Sequence, residues 1–357
     1  MEKGTQVARS KLRTILVAVA DAASSREPAM DRGAQLAKAT GARLVLFHAA
    51  FDSALSGRPF FDSKRLAKSR GWFVADRMRL LERHANSLRA GGLSVDVRVV
   101  WEEPVHEAVV RAAIRENADL VVAGRHERRE NRPPQFRLTD WELMRLCPRP
   151  LLVTHAMSGT QASGVVLAAL DPTHANDKPA SLDISIVHSA AEIAVTLGVE
   201  LHVVHAIPPS AYPLAVTAAE RKRFDKRTHS RMEQLIRKAD ADVKSVHFVH
   251  GSVAKGLPEF ASTLPAQILA MGIISRRWME RFVIGDTAET IIRDAPCDLL
   301  LIKPDGFQLR LGRTRKETVV LPKAAAAARA GTAQASNARK AIVRTGVTQA
   351  HVGASQP

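Results

Sequence analysis

From about residue 14 to residue 303, short runs of β-branched and aliphatic residues alternate with longer stretches of helical periodicity. The short runs predict strands at 15–19, 43–48, 95–101, 119–123 and 151–154. The clearest helical stretch is 104–116. There Val105, Ala108, Val109, Ala112 and Ala113 fall at i, i+3, i+4, i+7 and i+8, while His106, Glu107, Arg111 and Arg115 face away. Pro104 suits its first turn, because the ring presets a helical φ and the missing N–H is not needed there. Strands and helices in strict alternation predict βαβ units, and hence a parallel sheet covered on both faces.

The second half of the chain repeats this order, with strands predicted at 165–170, 200–206, 243–249, 267–271 and 298–302. LVLFH at 44–48 matches LHVVH at 201–205, and ADLVVAG at 118–124 matches AQILAMG at 266–272. TDWELMRLCPRPLLV at 139–153 likewise parallels TAETIIRDAPCDLLL at 287–301. The predicted organisation is a first α/β domain over 12–155, a linker at 156–163, a second domain over 164–305 and a tail over 306–357. Each domain is expected to hold a five-stranded parallel, Rossmann-like sheet. A length of 357 residues accommodates two such domains and a remainder.

Charge changes the picture only in the tail. The chain carries a net +16, from 52 Lys and Arg against 36 Asp and Glu. Nine of the cations and a single acid, Glu317, lie in 306–357, so half of the net charge sits on the tail. That segment is rich in Ala, Gly, Ser, Thr and Gln and offers no apolar face to bury, so 310–357 is expected to be disordered in isolation. Its cations suit non-specific attraction to nucleic acid or anionic lipid, and the bland alternative is a solubilising extension. The helix at 220–240 is also rich in cations, but Glu220, Asp225 and Glu233 interleave with them, and it reads as a solvated face.

Two cysteines exclude a disulfide scaffold and a zinc site made of cysteines alone. No apolar run approaches the roughly 18 residues needed to span a bilayer. The basic N-terminus followed by six apolar residues, 15–20, is too short for a secretory signal, which leaves the cytoplasm as the expected location.

In an open parallel sheet ligands bind beyond the carboxyl ends of the strands. The loop after the fourth strand of the second copy begins at Gly272, has Ser275 three residues on, and closes with Gly285, Asp286 and Thr287 as a helix opens. Glycines there let backbone N–H groups approach phosphates, and a helix N-terminus adds positive potential. With Asp171 at the end of the first strand, the repeat and its closing motif, this resembles the universal stress protein superfamily, in its tandem two-domain type, over residues 12–308. The resemblance implies an internal pseudo-dimer paired through the last strands, with room for homodimerisation and for protein partners that it does not name. It also implies ATP or ADP as the cofactor of members that carry Gly, two residues, Gly, nine residues, Gly and then Ser or Thr. Carried over by position, Asp171 would face the adenosine, and Gly272, Ser275, Gly285 and Thr287 would line the phosphates, with Arg276 and Arg277 as charge partners.

Departures from that pattern weaken the carry-over. Ser275 replaces the middle glycine, and Asp286 stands where ATP binders have Ser or Thr. As an N-cap, Asp286 would satisfy the helix donors itself and repel a triphosphate. The first copy's loop after Gly124 has no later glycine and contains Pro133 and Pro134, so no triphosphate site is expected there. Either Ala20 or Asp21, depending on register, takes the place of Asp171.

Other chemistry is less well supported. His202 with His205, and His247 with His250, are three apart on strands and point to opposite faces, so no metal site is expected from either pair. Cys147 and Cys297 read as packed core thiols. Trp101, Trp141 and Trp278 sit near strand ends, where packing is the simpler role. No catalytic constellation stands out, and a weak ATPase is the least favoured function. The expected function is a stress-response protein that binds a ligand or partner. The alternative is a scaffold, independent of nucleotide, whose tail engages polyanions.

Overall fold

The computed structural model describes residues 12–24, 27–56, 62–125, 135–155, 164–173, 179–212, 217–273, 286–309, 311–312 and 319. The first half runs β1 (Thr14–Ala18), α1 (Pro28–Thr40), β2 (Arg43–Ala50), α2 (Ser63–Ala90), β3 (Val95–Trp101), α3 (Val105–Arg115), β4 (Leu120–Gly124), α4 (Gln135–Leu146) and β5 (Leu151–Thr154). The second runs β6 (Val165–Ala169), α5 (Ala180–Leu197), β7 (Glu200–Ile207), α6 (Ala218–Ala239), β8 (Ser245–His250), α7 (Val253–Thr263), β9 (Ala266–Gly272), α8 (Asp286–Asp294) and β10 (Asp298–Ile302).

These strands form a ten-stranded sheet in the order β3-β2-β1-β4-β5-β10-β9-β6-β7-β8. Each half is a parallel five-stranded sheet, and the two halves join where β5 and β10 pair antiparallel, Leu152 opposite Leu300. Strand alternation divides the core into two layers. Ile15, Val17, Leu44 and Leu46 point toward the layer of α1, α2, α5 and α6, whereas Leu16, Val45 and Phe47 point toward α3, α4, α7 and α8. The repeat extends to the helix ends, since α1 and α5 each stop at a left-handed glycine, Gly41 (φ 71°) and Gly198 (φ 67°).

Side chains also bridge the seam. Arg32 of α1 donates from Nε to Asp298 Oδ2 at 2.8 Å, and both side chains are almost wholly excluded from water. The other oxygen of Asp298 accepts the His155 N–H just past β5, at 2.8 Å. The Leu12 N–H donates to Glu192 Oε1 of α5 at 2.9 Å.

The chain after β10 does not leave the protein at once. Leu309 and Leu311 pack against the α3/α4 side of the core, the Gly312 N–H donates to Glu107 Oε1 at 3.0 Å, and Arg111 donates to the Gly312 carbonyl at 3.0 Å. Sequence composition placed Leu311 and Gly312 in the disordered tail. Two leucines spaced by one residue supply burial there, and Val319 packs against the other core layer. Apart from Leu311, Gly312 and Val319, the region 310–357 lies outside the described residues.

Candidate functional site

The carboxyl ends of β6 and β9 build the candidate site, because these strands are parallel neighbours, with Ala168 opposite Ala270. Asp171 follows β6 by two residues and Gly272 closes β9, so both lie at the same edge of the sheet. Leu170 still donates to the Val204 carbonyl at 2.9 Å, after which the chain turns. The turn is held by Asp171 itself: its Oδ1 accepts the Thr173 N–H at 3.1 Å and the Thr173 hydroxyl at 2.5 Å. Beneath it Asp183, fully buried in the first turn of α5, accepts the Asp171 N–H at 3.2 Å. Asp171 is half-buried, and its Oδ2 makes no hydrogen bond among the described residues.

Gly272 is required by packing. A Cβ at this position would lie 2.8 Å from Leu182 Cδ2 and 3.2 Å from Ile186 Cδ1, so α5 seats directly on the end of β9. Of the other residues read from sequence, Thr287 is the second residue of α8 and is exposed. Ser275, Arg276, Arg277 and Gly285 lie outside the described residues, as does Trp278. Asp286 is the first helical residue of α8, one position inside the N-cap assigned from sequence. Together with Glu289 it places two carboxylates in the first turn, where the helix dipole favours negative charge and a bound polyphosphate would be opposed.

The first half settles its register by hydrogen bonds. Val19 donates to Phe47 O as Leu170 donates to Val204 O, so Ala20 occupies the place of Asp171. Asp21 makes its own turn one residue later, accepting the Ala23 N–H at 2.9 Å. Arg125, the first residue after β4, reaches into the other half and donates to the Ile292 and Ala295 carbonyls at the end of α8, at 2.8 and 3.3 Å. The start of this loop therefore caps a helix. The segment 126–134, with its two prolines, lies outside the described residues.

His48 and His205 are repeat equivalents with one structural job. Nδ1 of each is hydrogen-bonded to the carbonyl that ends the first strand of its half, Val19 at 2.8 Å and Leu170 at 2.9 Å. Burial pushes the pKa of His48 down, which favours the neutral ring. His202 meets His247 across β7 and β8, with Nδ1 to Nε2 at 3.0 Å and Glu200 on its other nitrogen at 3.3 Å. Spacing along each strand could not reveal this pair, because it depends on the register of β7 against β8. Among the described residues no group of three or more His, Cys, Asp or Glu is arranged to hold a metal ion.

Cys147 and Cys297 are buried free thiols, and burial raises their pKa to about 11 and about 12. At neutral pH they are thiols rather than thiolates, hence poor nucleophiles. Trp101 packs against Phe51 and Phe73, with Arg70 over its ring, and Trp141 packs on the core. Asp183 was missed from sequence. An acid between Leu182 and Ile184 on the apolar stretch that opens the helix was the available signal. No helix among the described residues is long and apolar enough to cross a membrane.

Comparison with known proteins bears on the whole arrangement. The chain is 25% identical over 304 residues to Universal stress protein E of Photorhabdus laumondii, covering 82% of this chain and 96% of that protein. It is 25% identical over 307 residues to Universal stress protein E of Escherichia coli strain K12, covering 82% and 95%. Among solved structures, a putative universal stress protein from Pseudomonas aeruginosa superposes with a TM-score of 0.63 at 22% identity, covering 83% of this chain and 95% of that one. A universal stress protein from Archaeoglobus fulgidus gives 0.57 at 16% identity, covering 82% and 99%. The sequence profile described as "Universal stress protein family" matches residues 11–155 and again 175–303, one match in each half of the sheet, and the chain belongs to that family.

Proposed function

We propose that this universal stress protein is a cytoplasmic stress-response protein that acts by binding a ligand or partner rather than by catalysis, with a weak site for ATP or ADP in its second half. The observation that carries this reading is Asp171. Its Oδ2 has no hydrogen-bond partner among the described residues at the carboxyl end of β6, beside Gly272 at the end of β9, where an open parallel sheet receives its ligands. Asp171 would accept from a nucleoside hydroxyl or amino group. Gly272, Ser275, Gly285 and Thr287 would border the phosphates, with Arg276 and Arg277 offsetting their charge. Weak affinity follows from Asp286 and Glu289 in the first turn of α8. Binding without turnover fits a site edge whose carboxylates Asp171 and Asp183 hold backbone turns, and cysteines that stay protonated.

The test is direct. Purified protein should release ATP or ADP on denaturation or show a thermal shift with either nucleotide, and Asp171→Ala should abolish the shift. Asp286→Ser removes one opposing charge and should tighten binding by roughly two- to fivefold, from a helix-terminus term of about 0.3–1 kcal/mol. If no nucleotide is released and neither variant alters a thermal shift, the nucleotide site is wrong.

A second reading concerns residues 310–357, whose excess of cations supports non-specific attachment to nucleic acid or anionic membrane.

A further inference from the structure

Helix α6 holds eight cations against three acids, and each acid is occupied structurally. Glu220 closes a capping box with Thr217, with its carboxylate on the Thr217 N–H and hydroxyl. Asp225 accepts from the Tyr212 hydroxyl at 2.8 Å, and Glu233 lies 3.7 Å from Arg237. Arg221 stacks over the Tyr212 ring at 4.7 Å. That leaves Lys222, Arg223, Lys226, Arg227, Arg231 and Lys238, all exposed and without an ion-pair partner among the described residues.

Their placement is one-sided. At about 100° per residue these six and Arg237 cover roughly half the circumference, which they share with Glu220 and Glu233, and the buried residues Thr228, Met232, Leu235 and Ala239 occupy the opposite side. Lys222 and Lys226, Arg223 and Arg227, and Arg227 and Arg231 are like charges one turn apart, which works against the isolated helix. Around α3 and α4 the protein neutralises such charges. Arg98 meets Glu116, Arg111 meets Glu102 and Glu107, and Arg145 meets Glu142. A row of cations about 24 Å long, at ~1.5 Å per residue from Lys222 to Lys238, outnumbers the acids beside it and has no structural return among the described residues.

We infer that the outer face of α6 binds the phosphodiester backbone of a nucleic acid. A duplex presents roughly one negative charge per 1.7 Å of axis, dense enough to meet the whole row, and the guanidinium forks of Arg223, Arg227 and Arg231 suit phosphate oxygens. A membrane is the poorer partner, because the apolar stripe of α6 is turned into the core and none of the exposed large hydrophobic residues lies on this helix. No exposed Phe, Tyr or Trp lies on this helix, and the His229 ring is stacked on Phe248, so the surface positions a backbone without reading its bases. This goes beyond the nucleotide reading and does not depend on it.

The test uses the full chain and a fluorescein-labelled duplex of arbitrary sequence, as DNA and as RNA, followed by anisotropy across a salt titration. The variant K222Q/R223Q/K226Q/R227Q/R231Q should lose more than tenfold in affinity near 0.1 M salt. The slope of log K against log salt should flatten by about 4 to 5, at ~0.9 per phosphate contact. A tail variant, R329Q/R339Q/K340Q/R344Q, should retain the α6-dependent share of binding. If the five-residue variant loses its helical circular dichroism, Lys226→Gln with Arg227→Gln decides by a slope change near 1.8. Unchanged affinity and slope in the α6 variants would overturn the inference. So would loss confined to the tail variant, or α6-dependent binding to phosphatidylserine vesicles without binding to either duplex.

Discussion

Gly272 shows how one residue can end a strand and fit a core together. Its Cα is so close to Leu182 that alanine there must push a fully buried side chain aside, while Gly124, its repeat equivalent, would place a Cβ no nearer than 3.5 Å to a Glu27 oxygen. Gly272→Ala should therefore cost about 1–3 kcal/mol by overpacking, and Gly124→Ala should cost far less. Urea unfolding midpoints of the two variants check the difference, and equal midpoints would contradict it. Lys303 offers a second test at this scale. Its Nζ is buried over the Phe307 ring and near Cys147 and Arg145, without a hydrogen-bond partner among the described residues, and burial lowers its pKa from 10.5 to about 8. Between those values the unfolded chain binds the extra proton, so the stability linked to Lys303 rises with pH and is lost as pH falls through 8. At ~1.4 kcal/mol per pH unit the range is about 3 kcal/mol. Lys303→Met should be the more stable protein at pH 7, and its advantage should shrink by pH 9.5. Cys147 lies close enough to Lys303 for each to shift the other, so the difference between the two proteins reports the pair.

At the scale of elements, all ten strands were legible, because a buried parallel strand is a short apolar run and each run recurred in the second copy. Observed ends differ by one or two residues, as at β1, which begins at Thr14 and stops at Ala18. What periodicity along one element cannot give is the identity of its neighbour. The choice between Ala20 and Asp21 needed the Val19 to Phe47 hydrogen bond, and the pairing of His202 with His247 needed β8 laid against β7. The basic residues of α6 were visible in sequence and read as an ordinary solvated face. Only the geometry shows that its three acids are already engaged and leave the outer side with an excess of cations.

For the whole molecule the seam between β5 and β10 decides how the halves behave. Arg32 and Asp298 are 266 residues apart and form a buried ion pair, so no local pattern announces them. Asp298→Ala would strand the Arg32 guanidinium and the His155 N–H, and should cost about 3–5 kcal/mol. A continuous sheet with this pair at its centre should also unfold as one unit. Far-ultraviolet circular dichroism and tryptophan fluorescence should give coincident urea transitions in the wild-type protein, and two separated transitions would refute that cooperativity. The segment from Lys303 to Gly312 adds an asymmetry that the repeat hides. It is encoded after the second copy, yet Gly312 is hydrogen-bonded to Glu107 and Arg111 of α3 in the first, with Leu309 and Leu311 on the core layer to which α3 belongs. Excising the second copy at the gene level would therefore uncover the first, and a fluorophore attached at position 312 would report on the neighbourhood of Glu107, some 200 residues upstream in the chain.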